Sequence, residues 1–112
     1  MSGADDKGAP AGDGDGSAAA DEGDRVYHVD GELVPAAEAT VSVEDRGFAY
    51  GDAAFETMRA YGGEIFRWDA HADRLADTCE TLGLDHEIAG AELKRRVDET
   101  LAANSFADAY VK

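Results

Sequence analysis

Residues 55–82 read in one direction as strand, turn, strand and helix, and this run limits most of what the chain can become. In FETMRAY, Phe55, Thr57, Arg59 and Tyr61 fall on one face of an extended segment, and Glu56, Met58 and Ala60 on the other. Gly62 and Gly63 supply the backbone freedom of a tight turn, and residues 64–68 return as the partner strand. Asp69 is placed to cap a helix over residues 70–82, which Gly83 ends. Ala72, Leu75, Ala76, Cys79 and Leu82 recur at helical spacing along it. A hairpin that feeds a helix of this kind calls for a small mixed core of sheet and helix.

The flanks extend the same unit. VYHVDGELV predicts an earlier hairpin turning at Asp30 and Gly31, closed by Pro35. Residues 40–43 read as a short extended piece, and residues 44–55 as a turn-rich loop with one helical turn at residues 52–54. A second helix over residues 91–103 buries Leu93, Val97 and Leu101. On its open side Glu92 with Arg96, Lys94 with Asp98 and Arg95 with Glu99 are i,i+4 pairs. Asn104 and Ser105 break that helix, and ADAYVK starts a strand. The class is α+β, an antiparallel sheet with two packed helices.

Residues 1–24 stand apart. They hold no aromatic or β-branched side chain, so they cannot bury enough to offset the entropy of ordering. They read as a disordered acidic tail, and residues 25–112 as one small domain. Acids outnumber bases 25 to 10 in the whole chain, and residues 25–112 alone carry a net charge of −9. Such a surface repels nucleic acid and anionic lipid. Three lysines among ten bases, with Asp exceeding Glu 15 to 10, give a balance like that of proteins from salt-loving cells. Thermal stability is therefore expected to rise from dilute buffer to molar KCl, as salt screens the self-repulsion. A melting midpoint that falls or stays level over that range would remove the salt-adapted reading.

The single cysteine, Cys79, rules out an intrachain disulfide and a thiolate metal cluster, and its place among helix-core positions makes it structural. His28, His71 and His86 lie far apart and form no metal motif. No window approaches a membrane span, and no leader pattern opens the sequence, so the expected compartment is the cytoplasm. The phosphate-binding glycine motifs of nucleotide folds are missing.

Two constellations could carry chemistry. EDRGFAYGDAAFETMRAY gathers Arg46, Tyr50, Asp52, Phe55, Glu56 and Arg59 between glycines. Tyr50 can donate a hydrogen bond, and Arg59 can grip a carboxylate or phosphate with two. The plain alternative makes Phe48, Tyr50 and Phe55 core or interface aromatics, with Arg46 paired to Asp52 or Glu44. The second constellation is HADR, with His71 and Arg74 on one helix face. A base this near a helix start is unfavourable unless it meets an anion, and the plain alternative is a solvated arginine.

DRGF-x-YGD, FET-x-R and H-x-x-RL at these separations closely resemble the N-terminal domain of class IV aminotransferases, the fold-type IV pyridoxal-phosphate enzymes. That family includes branched-chain and D-amino-acid aminotransferases and aminodeoxychorismate lyase. The likeness covers residues 26–112. It implies pyridoxal 5′-phosphate as cofactor, with Arg74 at its phosphate, and Tyr50, Phe55 and Arg59 beside the substrate pocket. It also implies a parent homodimer that moves an amino group between an amino acid, branched-chain at first reading, and a 2-oxo acid. The family's Schiff-base lysine lies in a later, larger domain, and neither Lys94 nor Lys112 has its motif context. The chain thus reads as a fragment cut before that lysine, inactive alone, and as a lone first domain should expose apolar surface. A lyase fragment or a non-catalytic interaction module are the other readings.

Overall fold

The computed structural model describes residues 22–86 and 88–112, so most of the acidic tail lies outside the described residues. Glu22–Asp24 form a 3-10 turn that leads into β1, Val26–Val29. β2, Glu32–Pro35, pairs antiparallel with β1, Val29 opposite Glu32. Asp30 and Gly31 both have positive φ, 52° and 90°, the two-residue turn whose twist matches that of the strands.

The connection differs from the sequence reading. Residues 40–43 are not a strand, and the helical turn comes earlier than residues 52–54: it is α1, Arg46–Tyr50. The local reason is Asp45, whose side chain accepts from the Gly47 amide at 2.9 Å and starts the turn, which Gly51 ends in the left-handed conformation.

β3, Met58–Tyr61, is the middle strand of a second antiparallel sheet, between β4, Glu64–Ile65, and β5, Ala109–Val111. Gly62 and Gly63, φ 59° and 83°, make the turn where the sequence places it. The predicted alternation holds from residue 56: Glu56, Met58 and Ala60 are buried, while Phe55, Thr57 and Tyr61 are exposed. Pairing itself begins only at Met58, because β5 meets β3 from Met58, opposite Val111, to Ala60, opposite Ala109. The Gly62 amide donates to Asp108 Oδ1 at 2.8 Å and the Gly63 amide to the Ala107 carbonyl at 2.7 Å, which ties the turn to the approach of β5.

α3, Gly90–Asn104, supplies the packed helix face. Val97 and Leu101 bury against Met58, Ala60, Ile65, Ala109 and Val111. Thr100 is buried beside them, its hydroxyl donating to the Arg96 carbonyl at 2.7 Å, whereas Leu93 is only half-buried. All three i,i+4 ion pairs form. The other side of α3 holds the first hairpin. Asn104 mimics a strand partner for Val26, accepting from its amide and donating to its carbonyl, both at 2.8 Å. His28, 2% exposed, meets Glu99 through Nε2 at 3.1 Å. One helix thus joins two sheets.

α2, Trp68–Leu82, begins two residues before the sequence expectation. Asp69 therefore sits inside the first turn rather than at the cap, where it still suits the helix dipole. The capping residue is Arg67, in the left-handed conformation at φ 59°, and Gly83 closes the helix as expected. The face of Ala72, Leu75, Ala76, Cys79 and Leu82 is not buried: Ala72, Leu75 and Cys79 are half-buried, and Ala76 and Leu82 exposed. Val41, Val43, Phe48, Tyr50, Phe55, Tyr61 and Phe66 are exposed as well. Among the described residues no helix is long and apolar enough to cross a membrane.

Candidate functional site

The inner face of the segment that enters β3 carries a carboxylate where a hydrophobe would be expected. Glu56 is 9% exposed, and an unpaired charge there would be costly. The first two turns of α2 supply its partners. Arg74 grips it with Nε on one oxygen and Nη2 on the other, both at 2.8 Å. His71, one turn earlier, places Nδ1 2.7 Å from Oε1. The i,i+3 spacing recognised in HADR thus serves one carboxylate, and the base near the helix start is offset by Glu56.

The hydrogen bond from Arg74 holds the Glu56 carboxyl down at about 2, against an opposing push from burial, with His71 adding to the lowering. Two consequences follow. An ionised carboxylate only accepts, so His71 must carry its proton on Nδ1. The approach of Arg74 Nη2 to that nitrogen, 3.3 Å, is then donor to donor and adds no hydrogen bond. Second, a carboxyl depressed in the fold stabilises it above the unfolded value and ceases to do so as pH falls through the folded value. Stability from this group should be intact above roughly pH 5 and gone near about pH 2. Arg74 is 64% exposed, which screens the pair, so the loss should be on the order of 1–3 kcal/mol. Melts of the parent and Glu56→Gln across this range check it: the parent should lose its advantage on acidification, and parallel curves would refute the assignment.

Arg74 remains open on its outer edge. The groove beside it, about 220 Å3, is lined by Arg74, Asp77, Thr78, Thr81 and Leu82, which all belong to α2. It is the helix's own uncovered flank.

Arg59 and Phe55, from the first constellation, lie on the opposite side of the same segment. Arg59 stacks its guanidinium over the Tyr110 ring at 4.4 Å and the Tyr61 ring at 5.3 Å. Its Nε is shielded from water and has no hydrogen-bond partner among the described residues. Lys112 Nζ stands 5.6 Å over the Phe55 ring. Antiparallel register sets Tyr110 directly opposite Arg59. The result is an aromatic face holding two cations, Arg59 and Lys112. Tyr110 and Lys112 are members that sequence reasoning missed. Their alternation in AYVK is visible, but only the pairing of β5 with β3 puts them beside Arg59.

Phe55 therefore joins Arg59, and Arg74 stands across the segment from both. Tyr50 joins neither group. It is exposed on α1 with Arg46 5.0 Å over its ring, and Arg46 bonds Asp52 at 2.7 Å, one of the two pairings the plain reading allowed. Cys79 is a half-buried free thiol on α2. Among the described residues no His, Cys, Asp or Glu cluster could hold a metal ion.

Residues 53–112 match the family model of the class IV amino-transferases. The chain is 40% identical over 85 residues to a Methanocaldococcus jannaschii protein provisionally named a branched-chain-amino-acid aminotransferase, covering 76% of this chain and 30% of that one. It is 36% identical over 78 residues to a D-alanine aminotransferase of Bacillus licheniformis, covering 70% of this chain and 28% of that one. Its fold superposes on a solved branched-chain aminotransferase from Thermoproteus uzoniensis with norvaline, TM-score 0.66 and 38% identity, over 72% of this chain and 29% of the other. The chain thus spans about a third or less of the length of these relatives.

Proposed function

The chain belongs to the class IV amino-transferase family, and from that premise we propose that it forms the first domain of a pyridoxal-phosphate aminotransferase. The observation that carries the proposal is Arg74: fixed on one edge by a buried carboxylate and open on the other. An arginine so held presents its remaining N–H donors as a preset fork, which suits phosphate oxygens. The donor set therefore fits a phosphate monoester such as that of pyridoxal phosphate.

That cofactor, when bound, supplies the electron sink for chemistry at the amino-bearing carbon. The residues here have supporting tasks. Arg74 holds the phosphate. Arg59, held near the rings of Tyr61 and Tyr110, receives a substrate carboxylate, and Phe55 lines the apolar wall beside it. Tyr50, exposed on α1 apart from both groups, is left to the resemblance alone as a substrate-side residue. The substrates are an amino acid and a 2-oxo acid, with branched-chain amino acids first and D-alanine second, in the order of the similar proteins. Neither Lys94, ion-paired on α3, nor Lys112, over Phe55, occupies a place suited to the Schiff-base role, so activity requires the lysine-bearing domain, in a homodimer.

The experiment joins this chain to the lysine-bearing domain of a similar aminotransferase. The joined protein should bind pyridoxal phosphate tightly and transfer the amino group of L-valine or D-alanine to 2-oxoglutarate, while the 112-residue chain binds phosphate groups only weakly and transfers no amino group. A joined protein that binds the cofactor but transfers no amino group from any amino acid would overturn the aminotransferase reading.

A further inference from the structure

Arg74 departs from an ordinary surface arginine in one respect: its orientation is set by a residue from another element. Most of its side chain is in water, and on α2 only His71 comes within hydrogen-bond distance of its guanidinium. Glu56, arriving from the sheet, binds both Nε and Nη2. The same carboxylate selects the His71 tautomer, since its oxygen at 2.7 Å requires a proton on Nδ1. We infer that Glu56 is the positioning residue of the anion site, orienting the Arg74 fork and the His71 ring together. The inference rests on the reading of Arg74 as a phosphate donor.

Two effects of Glu56 oppose each other. Its negative charge weakens the pull of Arg74 on a phosphate. Its two hydrogen bonds remove the rotamer freedom that a long side chain otherwise loses on binding. A bystander that merely neutralises Arg74 and a residue that positions it therefore predict opposite signs. Glu56→Gln keeps the shape and one acceptor, and it adds a unit of positive charge to the site. If Glu56 only neutralises, phosphate binding tightens in the variant. If Glu56 positions, binding weakens even though the charge has become more favourable.

The probe is inorganic phosphate at fixed ionic strength, titrated into the 112-residue chain and followed by the Arg74 Nε–H signal. Glu56→Gln is expected to weaken phosphate binding about fivefold to tenfold, and Glu56→Asp, which restores the charge on a shorter arm, to recover part of it. Unchanged or tighter binding in Glu56→Gln overturns the positioning role. Arg74→Ala separates the two readings. If phosphate still binds Arg74→Ala as it binds the parent, the phosphate reading of Arg74 has failed. If Arg74→Ala loses binding while Glu56→Gln does not, only the inference about Glu56 has failed. A measurement on the parent stands even if Glu56→Gln fails to fold. Above neutral pH, ring 15N shifts of His71 should report the Nδ1–H tautomer, and Arg74 Nε–H should be a resolved, slowly exchanging signal. An Nε2–H tautomer, or an averaged Arg74 signal, also overturns the inference.

Discussion

Arg74→Ala, made in a protein that carries this chain together with the lysine-bearing domain, should lower pyridoxal-phosphate affinity about tenfold to a hundredfold. The figure follows from a charge-assisted pair to a phosphate, roughly 1.5–3 kcal/mol, converted at about 1.4 kcal/mol per decade. Two further terms act in opposite directions. Removing the guanidinium leaves Glu56 buried with His71 as its remaining partner among the described residues, which costs fold stability as well as affinity. The phosphate also keeps whatever the helix start contributes, which limits the loss. Arg74→Lys should recover only part of the affinity. An ammonium keeps the charge but cannot span both oxygens of Glu56 in one plane while offering a second edge outward. Absorbance titration of the cofactor, with a melt of each variant, separates the effects. Equal affinities in parent, alanine and lysine variants, with only the melt displaced, would reduce Arg74 to a partner of Glu56.

Glu56 also shows where sequence reading stops. The alternation in FETMRAY put Glu56 on the face of Met58 and Ala60, and that face is the buried one. The turn at Gly62 and Gly63, the Asp30 and Gly31 hairpin and the stop at Gly83 were legible because glycine chemistry is local. The stripe of α3 was legible because Val97 and Leu101 pack within this chain. The stripe of α2 was equally clear in the sequence, yet it is not covered, since periodicity says which side of a helix is apolar and not what lies against it. Local competition explains the displaced helical turn: Asp45 accepts from Gly47 and draws the turn to residues 46–50. The partner of Arg74 was out of reach. His71 and Arg74 are three apart and share a face by spacing alone, but Glu56 is 18 residues from Arg74 and meets it only through the fold.

The larger kinetic effect is expected at Arg59. Its guanidinium already lies 4.4 Å from the Tyr110 ring centre and 5.3 Å from that of Tyr61, contacts that restrain it before a substrate arrives. Its Nε is shielded from solvent, so a carboxylate would meet the terminal Nη groups of the fork. A donor held this way binds the ground state and the transition state alike, because the carboxylate it grips does not change during amino transfer. Its loss should therefore appear in KM rather than in kcat. In the two-domain protein, Arg59→Gln should raise KM for the 2-oxo acid or amino acid whose carboxylate it binds by about tenfold to a hundredfold, with kcat within about a factor of three. Arg59→Lys should fall between, since an ammonium retains attraction to the rings and the carboxylate but loses the flat stack on Tyr110. Tyr110→Phe keeps the ring under Arg59 and should leave KM nearly unchanged, whereas Tyr110→Ala removes the platform and should approach the effect of Arg59→Gln. Unchanged KM for every substrate in Arg59→Gln, with a lowered melting midpoint, would make Arg59 a structural member of the β3–β5 face and move the carboxylate site elsewhere.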